Sequence, residues 1–238
     1  MKKVLLLAFI AFAMNANAQE NNEVDQIDET TVVKYENEDD DDNWSTHIFI
    51  GVITPTDIND KNDNGLDFAT FRSWEIGLTV AQYDYTPNNS KTTLSAGLGF
   101  GFRFNTLSGH DNMFEKINDK ICVQARDGVM SELSSNISTF YISMPLLVKQ
   151  SFAKNFAISL GAQANWNAYS RVSNSYEIGD QEYTVLTKKI GQRPLTVDVL
   201  GIVHFAKDFG VYFKYSPMSL LKKDRGPEFK SFTVGIYL

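Results

Sequence analysis

Between Thr93 and Asn105 the chain reads TLSAGLGFGFRFN, and two rows alternate through it without a slip. Leu94, Ala96, Leu98, Phe100, Phe102 and Phe104 make one row. Thr93, Ser95, Gly97, Gly99, Gly101 and Arg103 make the other. A period of two over this length predicts a long strand with two unlike faces. The greasy row is too uninterrupted for water, while the opposite row is slim, rich in glycine and ends in a charge. That contrast suits a barrel wall, bulky toward lipid and narrow toward a crowded lumen.

The same device recurs in segments 45–54, 74–83, 140–150, 156–167, 195–205, 209–216 and 231–238, giving eight strands with the first stretch. Their outward rows include Trp74, Ile76, Leu78 and Val80, then Met144, Leu146 and Val148, and Val197 and Val199. Pro145 falls on an inward row, where its missing N–H predicts a bulge. The connections alternate in length. Residues 55–73, 106–138 and 168–194 are long, 217–230 is moderate, and 84–91, 153–155 and 206–208 are short. Two of the short turns are near copies, FAKNF at 152–156 and FAKDF at 205–209. Short turns on one side, long loops on the other and an even strand number are the rhythm of an outer-membrane barrel. An outward row of roughly ten residues, at about 3.3 Å each and tilted by about 40°, covers an apolar band of about 25 Å. The pattern therefore predicts an all-β fold, an eight-stranded antiparallel up-and-down transmembrane β-barrel over residues 44–238. Leu94, Leu98, Phe100 and Phe102 face lipid in this reading. Trp44, Trp74, Trp166, Tyr83, Phe104, Phe140, Phe205 and Phe232 all fall at strand ends, as interfacial aromatics do.

Two stretches precede the barrel. Residues 1–18 match a secretory signal peptide, with Lys2 and Lys3, an apolar run from Val4 to Met14 and a small-residue cleavage site at Ala16-Asn17-Ala18. That run is too short to cross a bilayer as a helix. Residues 19–43 carry 11 acids against the single base Lys34 and few apolar side chains, which predicts a disordered acidic periplasmic tail. Such a tail reads as a solvated spacer, or as a tether for a cationic partner. The formal charge of −7 arises there, since residues 44–238 hold 19 bases and 18 acids. No basic run argues for nucleic acid. The one cysteine, Cys122, permits no internal disulfide.

These features together resemble the outer-membrane β-barrel family common in Bacteroidetes, which includes the PorT-like proteins. The resemblance spans about residues 44–238 and is carried by Tyr141-Ile142-Ser143-Met144-Pro145-Leu146-Leu147-Val148-Lys149, the tight turn after it, and the ending Phe232-Thr233-Val234-Gly235-Ile236-Tyr237-Leu238. The final strand looks like the signal read by the barrel-insertion machinery, with Leu238 where Phe is more usual. The resemblance implies residence in the bacterial outer membrane among its lipids, and an address rather than an activity. Members include a component of a protein-secretion system.

Charged candidates on the inward rows are Glu75, Arg103, Lys149, Asp198, His204 and Lys214. Hairpin geometry places Glu75 near Arg103 and Asp198 near Lys214, predicting two lumen ion pairs with Gln163 and Asn165 as hydrogen-bonding neighbours. Eight strands leave a lumen that side chains fill, so satisfied charges are favoured over a gate or ligand site. Asp60-Lys61-Asn62-Asp63-Asn64-Gly65 matches the front half of a calcium loop, with Asp60, Asn62 and Asn64 as ligand positions, but Phe71 stands where the bidentate Glu belongs. A plain Asn/Asp surface turn is favoured, so no cofactor is expected, with a weak calcium site there as the alternative. His47, His110 and His204 lack paired metal spacing, and no Ser/His/Asp set gathers on neighbouring strand ends. The expectation is a non-enzymatic scaffold or surface-interaction component of a secretion or envelope assembly. Its long loops would meet a periplasmic or surface protein. A narrow transport channel is the alternative, and a barrel enzyme acting on lipid or peptide ranks behind it.

Overall fold

The computed structural model describes residues 43–59, 66–126, 128–206 and 209–238. The leader, the acidic segment up to residue 42, and Asp60, Asn62 and Asn64 lie outside the described residues. Eleven strands follow in order: β1 (Trp44–Asn59), β2 (Trp74–Tyr85), β3 (Thr92–Thr106), β4 (Asn112–Ile117), β5 (Lys120–Ala125), β6 (Ser131–Ala153), β7 (Phe156–Ile178), β8 (Gln181–Lys188), β9 (Leu195–Ala206), β10 (Phe209–Ser216) and β11 (Glu228–Tyr237). Eight of them form a ring. β6, β3, β2, β1, β11, β10, β9 and β7 lie side by side, and β6 pairs with β7 to close the circle. Every pairing is antiparallel.

The rows point as their chemistry demands. On β3, Ser95, Gly99, Gly101 and Arg103 are buried inside, while Leu94, Leu98 and Phe102 are exposed outside. Leu98 is 53% exposed, Leu146 60%, Leu160 63% and Val199 54%, so the exposed surface is the apolar one. Inside sit Glu75, Gln82, Asn165, Asp198 and Lys214. A soluble barrel shows the opposite arrangement. An apolar belt around all eight strands far exceeds the patch a soluble monomer exposes, and hydrocarbon is the solvent that fits it. The chain is a transmembrane β-barrel.

Aromatic rings mark both edges of the belt. At the turn end, Phe152, Phe156, Phe205 and Phe209 form a run of neighbouring rings, with centroids 5.9, 6.4 and 6.5 Å apart. The two copied turns supply these four rings. Farther round the ring at the same end, Trp44 packs on Tyr83 at 5.3 Å. At the loop end, Trp74 stacks on Phe104 at 4.5 Å.

Three expectations need correction. The long connections are not loops. Residues 106–138 contain β4, β5 and the first part of β6, and residues 168–194 contain the last part of β7 and all of β8. Both β6 and β7 run for 23 residues, beyond what the belt requires. The bulge expected at Pro145 is also absent: Met144, Pro145 and Leu146 pair in unbroken register with Ala164, Gln163 and Ala162 of β7. The cost of the missing N–H falls on the other neighbour, where pairing with β3 lapses between Ala96↔Leu146 and Gly99↔Ser143 without a change of register. The bulges lie elsewhere, including the Phe140/Ile142 interval of β6–β7. The third correction concerns the ion pairs and follows below.

Candidate functional site

Two interior assemblies bear on function: a charged plug within the ring and a folded dome at the loop end. The plug forms because hairpin pairing puts Glu75 directly opposite Arg103. Arg103 Nε approaches Glu75 Oε2 at 3.3 Å, and Arg103 Nη2 reaches Asp198 Oδ2 at 3.0 Å. Lys214 pairs with Glu75 Oε1, which also accepts a hydrogen bond from the Tyr212 hydroxyl at 2.9 Å. Asn165 donates to Asp198 at 2.8 Å, and Gln163 to Asn165 at 2.7 Å. The pairing is therefore one linked network, not two separate pairs. Lys214 turns to Glu75 rather than Asp198, and Asp198 takes the guanidinium instead. Arg103 makes this possible, because its fork holds two carboxylates from opposite parts of the wall. All four charges are buried and they sum to zero, which is what a low-dielectric interior tolerates.

Aromatic rings complete the plug. The Lys214 ammonium lies 5.2 Å from the Phe49 ring centroid, 5.7 Å from Tyr141 and 5.9 Å from Tyr212, and Arg103 lies 5.3 Å from Tyr141. Ring faces attract cations, so the cage helps to offset the loss of water. These rings fit because glycines face them. A Cβ on Gly77 would strike the Phe49 ring, and one on Gly101 would lie 2.5 Å from the Tyr141 hydroxyl. The glycine row is thus the space into which the opposite wall packs. A cavity of about 10 Å³ lies beside Lys214, Tyr212, Gln163 and Pro145, at the lower limit for a single water.

The dome was invisible in the alternation pattern. The β4–β5 hairpin folds over the ring, turning at Asn118 and Asp119, both left-handed at φ 48° and 63°. Phe114, Ile121 and Val123 meet Leu107, Ile137, Val172, Ile190, Leu221 and Phe229 in an apolar core. Polar pins hold it. Phe114 N–H donates to Ser135 Oγ at 2.9 Å, Ser135 Oγ to Asn174 Oδ1 at 2.6 Å, and Asn174 Nδ2 to the Phe114 carbonyl at 2.8 Å. At the hairpin tip Lys116 bonds Asp119 at 2.9 Å and Arg225 lies 3.7 Å from it. That hydrogen bond from Lys116, aided by the two positive charges, holds the Asp119 carboxyl below its ordinary 3.8.

The remaining candidates are scattered. His204 pairs with Ser159 at 2.8 Å near the turn end, and His110 Nδ1–H donates to the Leu133 carbonyl at 2.6 Å in the dome. Cys122 is a half-buried member of β5 opposite Glu115. Among the described residues, no three His, Cys, Asp or Glu side chains gather as a metal site. The β8 strand pairs only with β7 among the described residues, so its outer edge carries unpaired backbone groups.

The fold and interior define a class: a closed, eight-stranded transmembrane barrel with an ion-paired plug. No family model matches the chain, and no curated protein does. Among solved structures, the crystal structure of Ail, the attachment invasion locus protein of Yersinia pestis, is similar at 13% identity with a TM-score of 0.33. It covers 81% of this chain and 97% of that one.

Proposed function

We propose that the protein resides in the bacterial outer membrane, exported by cleavage of residues 1–18. There it acts without catalysis, as a membrane-embedded scaffold or surface-interaction component of a secretion or envelope assembly. The resemblance to the PorT-like group belongs to this proposal, as do assembly by the barrel-insertion machinery and a periplasmic or surface protein as partner. The observation that carries the reading is a division of labour in the chain. The lumen is closed by paired charges and rings, while the chain on the loop side builds a dome with its own core and an open-edged hairpin. A wall that only had to span a bilayer would not need them. Strand edges accept an extended segment of another protein, so β8 is a natural place of contact. Calcium at Asp60, Asn62 and Asn64 stays a proposal of second rank.

Two measurements test the reading. Planar-bilayer recordings of the purified barrel should be silent; discrete, ion-selective steps would favour the transport channel. Crosslinking in intact envelopes should yield a defined partner. Its yield should fall when Leu186→Pro, at a position whose N–H faces away from β7, blocks the β8 edge, and an unchanged yield would remove β8 from the interface.

A further inference from the structure

The sequence of the barrel region is nearly neutral, yet the fold gathers its bases in one place. Three segments far apart in the chain meet at the foot of the dome: the β4–β5 tip, residues 188–193 and residues 222–225. Lys116 Nζ donates to the Lys189 carbonyl at 3.1 Å. Lys222 N–H bonds the Gly191 carbonyl at 2.9 Å, and Ile121 N–H bonds the Arg225 carbonyl at 2.8 Å. Residues 115–120, 188–193 and 222–225 together hold eight bases and three acids, Glu115, Asp119 and Asp224. Lys120, Lys188, Lys222 and Lys223 are exposed, and among the described residues they form no ion pair.

The β7–β8 hairpin is polarised along its length. At its foot Arg171 stands directly opposite Lys188; at its tip Glu177 stands opposite Glu182. Like charges in facing positions destabilise a ladder, so this arrangement is costly unless something outside the chain balances it. The foot adjoins the lipid belt. Trp166↔Leu195 is the last rung of β7–β9, and Arg193 sits two residues beyond Leu195. Arg171 lies five residues beyond Trp166, about 16 Å along the strand at 3.3 Å per residue. With a tilt of about 40°, that is about 12 Å above the Trp166 rung, from where a long basic side chain reaches back toward the headgroup layer, whereas the acidic tip stands well clear of it.

We propose that this foot is a docking collar for phosphorylated lipid headgroups of the leaflet that meets the dome. The bases face the phosphates and the acidic tip is repelled from them, so the collar holds the hairpin upright on an anionic surface. The proposal rests on the membrane reading above. It adds a preferred lipid class and a set of residues that select it.

Trp166 reports the neighbourhood directly. The full chain carrying Trp44→Phe and Trp74→Phe keeps it as the one indole. It is reconstituted in vesicles containing dibrominated phosphatidylglycerol or dibrominated phosphatidylcholine, and correct folding is checked by heat-modifiable gel mobility. Each base close to an anionic surface contributes up to about fivefold in preference. Quenching of Trp166 by the anionic lipid should therefore exceed that by the zwitterionic lipid by at least about twofold. The ratio should fall toward one in K120Q/K188Q/K222Q/K223Q. It should also fall in 1 M salt, where charges are screened beyond about 3 Å, with no substitution needed. A ratio of one in the unsubstituted collar, or one untouched by both treatments, overturns the collar and leaves the membrane reading standing. No quenching by either lipid overturns the membrane reading itself.

Discussion

Tyr212 donates its hydroxyl to Glu75 across the lumen at 2.9 Å, joining residues 137 positions apart in the chain. Glu75 is thereby the centre of the plug, since Arg103 and Lys214 also converge on it. Neutralising it strands two buried cations at once. Glu75→Gln should destabilise the barrel by about 3–5 kcal/mol, read by urea unfolding in vesicles with tryptophan fluorescence. E75Q/K214M should recover most of that loss, because Arg103 and Asp198 still balance each other. A double variant as unstable as the single one would contradict the network.

Gly77 and Gly201 sit in the same kind of strand with opposite surroundings. A Cβ at Gly77 would collide with the Phe49 ring, whereas at Gly201 it meets only the end of the Leu160 side chain, at 3.3 Å. Gly77→Ala should cost about 1–3 kcal/mol by overpacking. Gly201→Ala should change stability by about 0.5 kcal/mol or less. Phe49→Leu should relieve the first and leave the second alone.

The dome has its own core, so it should open separately from the wall. Phe114 is fully buried there. Phe114→Ala should cost about 3–5 kcal/mol of dome stability. Hydrogen exchange should quicken in β4, β5 and the outer parts of β6 and β7, while β2, β3 and β9 stay protected. Trypsin should then cut at Lys116 and Lys120 in the variant before it cuts the parent.

Asp119 provides a modest pH dependence at the hairpin tip. Its carboxyl is held below the ordinary 3.8 by Lys116 and Arg225. A depressed carboxyl stabilises the fold fully above its unfolded value, and that contribution fades as pH falls through the folded one. Amide exchange at the tip should therefore quicken only below about pH 4, and Asp119→Asn should remove that dependence.

The wall was legible because its rows alternate apolar with small or charged residues, as Leu94 to Phe104 do against Thr93 to Arg103. The outward row of a dome strand meets water instead, so in Ser131–Phe140 the alternation is among Ser, Asn and Thr and the period hides. The hairpin did leave a signal. Asn118-Asp119 between NMFEKI-like and KICVQA-like halves is the two-residue turn that left-handed residues favour. The plug's membership followed from which residues face inward, but its wiring did not. Whether Lys214 meets Glu75 or Asp198 depends on where the Arg103 fork lands, which is a property of the closed ring.

The seam between β1 and β11, where Ile48 and Leu238 exchange backbone bonds at 2.7 and 2.8 Å, sets the order in which such a wall can be made. Until those two strands meet, only Glu75 and Arg103 are joined by their own hairpin, while Asp198 and Lys214 belong to a curling ribbon and would confront hydrocarbon without their partners from across the lumen. Strand-by-strand entry into the bilayer is thus uphill at every intermediate stage. Curling, charge neutralisation and entry must arrive together, with the final rung acting as the latch.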